Sequence, residues 1–373
     1  MGLDYGAAVR MPAEESLREL GRLARTAGAW VVGETLQRRP RPDPSTYIGS
    51  GKLEEVRAAR ADLDYTLVIF DEQLSPSQQL HLESALQVKV IDRSALILDI
   101  FASRARTREA TLQVELAQHE YLLPRLRGQW QHLERLEGAI GSRGPGETQL
   151  ETDRRLIGTR ITRLKGQIEQ VRKQRALHRR RRERDGVPVV ALVGYTNAGK
   201  SSLLHTLANT EVFAADALFA TLDPLTRRVG VPGGEMFLVT DTVGFIQKLP
   251  TQLISAFRAT LEELQSADLL LHVVDATSPA MGAQWATVME TLAALGVADK
   301  PMVTVLNKAD GLLRADGAPV EVERDLSGVD LASPAPEGGA ILVSALKAWG
   351  IDALRRRLAF ELYGTALPMH GAR

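Results

Sequence analysis

The stretch VPVVALVGYTNAGKSSLLHTL, residues 187–207, decides the fold of the second half of the chain. The apolar run from Val189 to Val193 predicts a buried β-strand, and an apolar helix pattern begins at Lys200. Between them, Gly194–Ser201 matches the P-loop pattern GxxxxGK[ST], in the strand–loop–helix context that this motif requires. The stretch therefore predicts a doubly wound α/β domain that binds a nucleoside phosphate.

The residue types of the loop suit phosphate binding. Glycines let the backbone approach closely, main-chain N–H groups can surround the phosphates, and the helix N-terminus adds a favourable dipole. Lys200 supplies positive charge to the outer phosphates, and Ser201 offers a hydroxyl ligand for Mg²⁺. The predicted phosphate-binding residues are Gly194, Tyr195, Thr196, Asn197, Ala198, Gly199, Lys200 and Ser201.

The base is predicted from the NKAD sequence that follows the apolar strand pattern at 302–306. The Asp310 carboxylate can accept hydrogen bonds from both the ring N–H and the exocyclic amine of guanine, an arrangement that adenine cannot satisfy. We expect Asn307 to contact the opposite edge of the base and Lys308 to pack across its ring. Backbone donors after the strand pattern at 341–343 would complete the pocket. The predicted base-binding residues are Asn307, Lys308, Ala309, Asp310, Ser344, Ala345 and Leu346.

A third motif, Asp241-Thr242-Val243-Gly244, follows the strand pattern at 236–240. Asp241 is the expected acid behind the magnesium ion, and the Gly244 amide can meet the γ-phosphate. A threonine that ligates magnesium must lie between Ser201 and Asp241. The local pattern of Phe219-Ala220-Thr221-Leu222-Asp223 favours Thr221, while spacing alone leaves Thr226 open.

The position after Gly244 bears on the rate of hydrolysis. Many GTPases carry a glutamine there that orients water, whereas this chain has Phe245, whose side chain cannot hydrogen-bond. Intrinsic hydrolysis is therefore predicted to be slow or to require help. Asn197 has two interpretations of equal weight, since it could help to seat a K⁺ ion beside the phosphates or only stabilise the loop. The predicted catalytic residues are Lys200, Thr221, Gly244 and Asn197.

Composition narrows the class of protein. The 373 residues are 44% hydrophobic and 25% charged, with no net charge, which is typical of a globular protein. The absence of cysteine excludes disulfides and thiolate metal sites. No apolar run approaches the roughly 20 residues needed to span a bilayer, and no signal peptide is apparent. We expect a cytoplasmic monomer.

The first half of the chain predicts a smaller α/β domain with a mostly parallel sheet. Strand patterns at WVVGE (30–34), YTLVIF (65–70) and VKVID (88–92) alternate with helical patterns. Ser75 is a plausible N-cap for one of these helices. GSGK, residues 49–52, resembles part of a P-loop but lacks the leading glycine and the hydroxyl residue, so we expect a turn that enters a helix.

Two long helical patterns follow. Apolar residues recur at spacings of three and four over 112–133 and again over 150–171, which predicts an antiparallel helical hairpin with a packed seam. Pro124 is expected to kink the first helix. Residues 150–184 carry 13 lysines or arginines against four acids, a surplus of nine. That excess favours contact with a polyanion, the alternative being a solvated helix face.

The sequence GAIGSRGPGETQ, residues 138–149, separates the two helical patterns. Its four glycines and one proline disfavour a helix, and it is longer than a turn between two helices needs to be. A tip that carries Arg143 and touches a partner is therefore predicted. The predicted division of the chain is an N-terminal extension (1–28), an α/β domain (29–104), the hairpin (105–185), a G domain (186–364) and a tail (365–373).

These motifs resemble those of the HflX GTPases, relatives of the Obg group. The resemblance extends from about residue 29 to 364, and the Gly-rich motif between the helices is its most specific part because generic GTPases lack it. The matching motifs are YIGSGKLEEV (47–56), DRSALILDIFASRARTREATLQVELAQ (92–118), IGSRGPGETQLETDRR (140–155), GYTNAGKS (194–201), LFATLDP (218–224), DTVGFI (241–246), NKAD (307–310) and SAL (344–346).

The resemblance implies an N-terminal α/β domain with a helical hairpin, followed by the G domain. It implies binding of GTP and GDP, with Ser201 and Thr221 as the Mg²⁺ ligands. It also implies binding to the large ribosomal subunit and its RNA, and the splitting of stalled ribosomes under stress. The hairpin tip would enter the ribosome near its catalytic centre, in agreement with the basic second helix.

Two departures from the family pattern affect what can be transferred. Gly138-Ala139 stands where the family often has two glycines, which stiffens the loop slightly. Many bacterial members carry a further C-terminal domain, so contacts made by that domain are not expected of the tail from Tyr363 to Arg373. The alternatives to ribosome splitting are a GTPase in ribosome assembly or RNA metabolism, and a protein-effector switch that binds no RNA.

Overall fold

A computed structural model describes residues 1–5, 11–126, 145–184, 186–210, 218–231, 235–249, 263–314, 316–329 and 339–364. The chain divides into two units. The first unit is Met1–Lys173 with Lys248–Ala256, and the second is Gln174–Gln247 with Phe257–Arg373. Each unit has its own hydrophobic core.

The first unit is an α/β fold built on short parallel strand pairs. Strand β1 pairs in parallel with β2, and β3 pairs in parallel with β4. Its elements are β1 (Gly2–Asp4), α1 (Ala13–Thr26), β2 (Leu36–Arg38), α2 (Ser50–Ala58), α3 (Arg60–Leu63), β3 (Leu67–Phe70), α4 (Pro76–Leu86), β4 (Lys89–Asp92), α5 (Arg93–Arg104), α6 (Arg108–Leu122) and the part up to Lys173 of the long helix α7 (Pro145–Arg184).

Local sequence rules explain several of these boundaries. The Ser75 side chain accepts a hydrogen bond from the Gln78 N–H and the Gln78 side chain reaches back to Ser75, a capping box that starts α4 as predicted. Helix α2 begins at Ser50, so GSGK is the expected turn into a helix. Helix α6 ends at Leu122 and residues 123–125 form a turn, so the long helical pattern is interrupted at Pro124 and not only kinked there.

Two expectations for this unit need correction. WVVGE is not a strand, because β1 pairs with Leu36–Arg38, farther along the chain, and Trp30 is 89% exposed. Residues 1–28 are also more than an extension. They supply β1 and α1, and α1 buries an apolar stripe that includes Leu17, Leu20 and Leu23. An amphipathic helix of this kind needs a core to cover its apolar face, and the first unit provides it.

Helices α6 and α7 touch along the predicted seam. Leu112 and Leu116 cluster with Leu164, and ion pairs join Glu115 to Arg160 at 2.6 Å and Glu120 to Lys165 at 2.9 Å. Residues 127–144, with Trp130, Leu133, Arg143 and most of the Gly-rich motif, lie outside the described residues. Helix α7 begins at Pro145, so residues 145–149 are helical although a helix was not expected in the Gly-rich motif; proline is tolerated at the first position of a helix. The antiparallel course of the hairpin and the rest of its tip stay predictions.

A largely buried charge cluster joins α1, the residue after β3 and the start of α5 in the first unit. The Arg93 guanidinium, 1% exposed, donates hydrogen bonds to Asp71 at 2.8 Å and to Glu19 at 2.7 Å. The Lys248 ammonium adds a second cation beside Asp71. Burial opposes ionisation of Asp71, but the two cations outweigh it and lower the pKa of that carboxyl. Each charge in the cluster is thus neutralised by a neighbour.

The second unit contains a sheet of six described strands in the order β10-β9-β8-β5-β7-β6. Neighbouring strands run parallel, except that β6 is antiparallel to β7. Its labelled elements are β5 (Val189–Val193), α8 (Lys200–Leu207), β6 (Leu225–Gly230), β7 (Met236–Asp241), β8 (Leu269–Asp275), α9 (Met281–Ala294), β9 (Met302–Asn307), β10 (Ala340–Leu342) and α10 (Ile351–Tyr363). The predicted doubly wound α/β fold is confirmed.

Among the described helices, none has the length and apolar character that a bilayer span requires.

Replacing Arg93 with methionine should destabilise the first unit. The change keeps much of the side-chain volume but leaves the Glu19 carboxylate buried without its cation, which costs about 3–5 kcal/mol. Arg57→Met is the matched control, because Arg57 pairs with Glu54 where both side chains are 60% exposed. Such surface pairs contribute roughly 0–1 kcal/mol. Urea unfolding followed by circular dichroism measures both, and equal losses would contradict the role of the cluster.

Candidate nucleotide-binding site

The predicted nucleotide motifs meet at one edge of the sheet of the second unit. Strands β5, β7 and β9 are parallel, and a motif follows the carboxyl end of each: the P-loop after Val193, the DTVG motif at Asp241 and the NKAD motif at Asn307. Ligands of open α/β sheets bind at this edge. The topology therefore brings together motifs that lie more than a hundred residues apart in the chain.

Two glycines of the P-loop have positions that no other residue could occupy without displacing a neighbour. A Cβ on Gly194 would lie 2.2 Å from the Val273 carbonyl oxygen, and one on Gly199 would lie 2.2 Å from Asn307 Nδ2. Gly199 also has a φ of 91°, in the left-handed region. The loop is thus packed directly on β8 and β9.

Lys200 is the first residue of α8, and its side chain reaches back to the P-loop backbone. Its Nζ donates hydrogen bonds to the carbonyl oxygens of Gly194 at 3.1 Å and Tyr195 at 2.9 Å. Burial lowers the pKa of Lys200 to about 8, although the nearby Asp241 carboxylate opposes that shift. A bound phosphate would add negative charge and favour the protonated amine. The cavity at this place is lined by Thr196, Asn197, Gly199, Lys200, Ser201, Ser202, Phe219, Ala220, Thr221, Thr242 and Gly244.

Three side-chain oxygens converge where the magnesium ion is expected. The hydroxyls of Ser201 and Thr221 are 2.6 Å apart, and they donate to Asp241 Oδ2 at 2.6 and 2.7 Å. The other oxygen of Asp241, Oδ1, is buried without a hydrogen-bond partner among the described residues. Burial raises the pKa of Asp241, against the opposing effect of Lys200. Because Mg²⁺ prefers oxygen ligands, these residues fit it well.

The alternative threonine lies elsewhere. Thr226 is on β6, and its hydroxyl hydrogen-bonds the hydroxyl of Thr240 across the strand pair at 2.9 Å. The structure thus places Thr221, and not Thr226, beside Ser201. In the described ranges, no group of three or more His, Asp or Glu residues forms a separate candidate metal site.

Both segments that flank the phosphate position contact the P-loop. The Phe219 N–H donates to the Thr196 hydroxyl at 3.2 Å, and Phe219 itself has a φ of 57°. A Cβ on Gly244 would lie 2.7 Å from Thr196 Cα and 2.9 Å from Lys200 Nζ. Gly244 therefore lies against Thr196 and Lys200, and the contact of its amide with a γ-phosphate stays a prediction. Leu222 and Val243 are buried beside these segments, Ala220 is exposed, and Asp223 is half-buried.

The base-binding motifs are tied together by side-chain hydrogen bonds. Asn307 Nδ2 donates to the Ala198 carbonyl oxygen at 2.9 Å, and its Oδ1 accepts from the Ala345 N–H at 3.0 Å. Asp310 Oδ1 accepts from the Ser344 hydroxyl at 2.6 Å. The Asn307 amide thus joins the P-loop to the SAL motif, and its contact with the base stays a prediction. Leu346 is 67% exposed beside them.

Sequence reasoning missed one residue of this pocket. Asp275, at the end of β8, pairs with Lys308 Nζ at 2.7 Å, while Lys308 has a φ of 64°. An acid directly after the apolar run LLLHVV was a signal that could have indicated it, since such positions lie at the ligand-binding edge of a parallel sheet. The ion pair holds Lys308 near the place predicted for the ring of the base.

A P-loop, a cluster of hydroxyl and carboxylate oxygens that fits Mg²⁺, and an NKAD pocket on one doubly wound sheet define a P-loop GTPase. Three family models match the chain: GTP-binding GTPase N-terminal over residues 14–102, GTP-binding GTPase Middle Region over 104–182, and 50S ribosome-binding GTPase over 189–308.

Proteins named GTPase HflX match most of the chain. The protein from Caldanaerobacter subterraneus subsp. tengcongensis is 46% identical over 94% of this chain and 78% of its own length. Those from Lacrimispora saccharolytica and Escherichia coli are 53% and 47% identical, each over 80% of this chain and 70% of their own length. A crystal structure of SsGBP with GDP is 25% identical over 98% of each chain, with a TM-score of 0.50. The chain belongs to the HflX family of GTPases, and it is a GTP-hydrolysing enzyme.

Asp310→Asn should weaken GTP binding about tenfold or more, because it removes the charged acceptor for two guanine donors, each worth roughly 1.5–3 kcal/mol. The variant should gain affinity for xanthine nucleotides. Asp316→Asn is the matched control, since Asp316 is an exposed acid that pairs with Arg314 in the same unit. Titration with fluorescent GTP and XTP measures the change. Unaltered GTP affinity would refute the base-binding role of Asp310.

Proposed function

We propose that this GTPase binds the large ribosomal subunit and couples GTP binding and hydrolysis to the splitting of stalled ribosomes. The observation that carries the proposal is the basic surface of α7. The family model matched by residues 189–308, described as a 50S ribosome-binding GTPase, supports the same partner. Members named GTPase HflX cover most of the chain, which supports transfer of the family's role to it.

The described part of α7 has two faces. Ile161, Leu164, Ile168 and Val171 cluster with α6. Arg154, Arg155 and Arg163 are exposed, and no ion pair within the described residues involves them. A helix face that only had to be solvated would gain by pairing its cations with acids, as Arg172 does with Glu169 farther along the helix, whereas these three arginines form no such pair within the described residues. Exposed cations without an acidic partner suit the phosphates of RNA.

The state of the nucleotide site would determine how long the protein stays bound to the ribosome. Ser201 and Thr221 would hold Mg²⁺, which bridges and neutralises the phosphates when bound, while Lys200 supports the outer phosphates and Gly244 meets the γ-phosphate. Phe245 offers no hydrogen bond to water. Slow intrinsic hydrolysis would keep the GTP form on its target until the ribosome accelerates the reaction.

Sedimentation with purified ribosomal subunits and a non-hydrolysable GTP analogue tests the partner. We expect co-sedimentation with the large subunit, and splitting of intact ribosomes in a light-scattering assay. Binding to an assembly precursor alone would favour the role in ribosome assembly. Absence of binding to either particle would favour a switch that acts on protein effectors.

Charge reversal on α7 tests the surface itself. Arg154→Glu with Arg155→Glu should weaken binding to the large subunit and reduce the magnitude of the negative slope of log affinity against log salt by about two, because two phosphate contacts are lost. Arg22→Glu with Arg25→Glu, two exposed residues of α1, is the matched control. GTP affinity should be unchanged in both. Equal salt slopes in the two variants would show that α7 is only a scaffold.

The role of Asn197 can be tested through the monovalent ion. We propose that hydrolysis needs Mg²⁺ and accelerates when K⁺ replaces Na⁺, because a seated K⁺ would add positive charge beside the phosphates. Asn197 has a φ of 61°, so Asn197→Gly removes the amide without straining the backbone. This variant should lose the response to K⁺. Equal rates in the two salts for the unsubstituted protein would leave Asn197 with a structural role.

A further inference from the structure

The segment after Asp241 is joined to the P-loop by its main chain. Tyr195 and Phe245 form a parallel bridge. The Phe245 N–H donates to the Gly194 carbonyl oxygen at 3.1 Å, and the Thr196 N–H donates to the Phe245 carbonyl oxygen at 2.7 Å. These bonds fix the position of Phe245 but do not reach the residues beyond it.

A side chain of the P-loop makes the next connection. The Gln247 N–H donates to the Tyr195 hydroxyl oxygen at 3.0 Å. The residues around this hydrogen bond are buried from solvent, since Tyr195 is 4%, Phe245 8% and Ile246 3% exposed. The segment is therefore held at Phe245 by the backbone and at Gln247 by the Tyr195 hydroxyl, with a buried residue between the two points.

These two points of attachment, at Phe245 and Gln247, are next to the groups predicted to bind the phosphates. The carbonyl oxygens of Gly194 and Tyr195 accept hydrogen bonds from Lys200 Nζ, and the Gly194 oxygen also accepts from Phe245. A Cβ on Gly244 would come within 3 Å of both Thr196 Cα and Lys200 Nζ. A shift of the segment would thus alter where the Gly244 amide and the Lys200 ammonium face a γ-phosphate.

Fixed backbone is especially important in this enzyme. Because the Phe245 side chain cannot orient water, the reacting groups depend on main-chain geometry in this segment, and a misplacement of about 1 Å can cost two orders of magnitude in rate. We propose that Tyr195 is a positioning residue for GTP hydrolysis. Its hydroxyl holds Gln247, and together with the main-chain bonds at Phe245 it limits movement of the segment that carries the Gly244 amide toward or away from the γ-phosphate.

Tyr195→Phe tests this role, since it deletes one hydroxyl and keeps the ring. The matched control is Tyr363→Phe in the same unit, where the deleted hydroxyl donates to the Met236 carbonyl oxygen at 2.6 Å, outside the nucleotide site. We expect Tyr195→Phe to slow single-turnover GTP hydrolysis on the order of tenfold. GTP and GDP affinities should stay within about twofold of the parent, because the change keeps the main-chain groups of Tyr195 that are predicted to surround the phosphates and removes only its hydroxyl. Its melting temperature should match that of Tyr363→Phe.

A hydrolysis rate in Tyr195→Phe equal to that of the parent and of Tyr363→Phe would overturn the proposal. So would a loss of rate accompanied by equal losses in the affinities for both nucleotides and by a lower melting temperature than the control. That second pattern would show that the hydroxyl supports the loop as a whole and does not position the reacting segment.

Discussion

The nucleotide site depends on the close packing of the P-loop backbone against the ends of β8 and β9. Gly194 and Gly199 make this possible, because a Cβ at either would lie 2.2 Å from an atom of Val273 or Asn307. Protein interiors tolerate no overlap of that size, so a larger residue would push the loop away from the sheet. The positions of Lys200 and Ser201 at the start of α8 follow from the position of the loop.

Hydrogen bonds then join the other motifs to the packed loop. Asn307 spans from the Ala198 carbonyl to the Ala345 amide, so the base pocket and the phosphate loop cannot move independently. Asp241 lies at 0% exposure with its charge opposed by burial and favoured by Lys200. A site built in this way is costly to leave without a cation, since a buried carboxylate needs a compensating charge. Preorganised polar groups of this kind are what electrostatic catalysis requires.

Local patterns predicted the second unit better than the first. Its strands are continuous apolar runs between covered faces, which is the sequence pattern of a parallel sheet, and all of the predicted strands appear there. In the first unit the same reasoning placed a strand at WVVGE, which has strand-forming residues but no pairing partner at that position. It also treated 1–28 as an extension, because the short β1 and the amphipathic α1 are stabilised by pairing and packing on the rest of the unit, which a local pattern does not show.

The sequence by itself determined the class of fold, the three nucleotide motifs and the choice of guanine, because each depends on residue type at fixed local spacing. Tertiary structure decided between Thr221 and Thr226, since only the folded chain shows which hydroxyl lies 2.6 Å from Ser201. It also revealed the pairing of Lys308 with Asp275 and the bond from Gln247 to Tyr195. Those contacts join residues 33 and 52 positions apart in the chain, which local spacing cannot relate. Only the order and register of strands in the sheet bring them together.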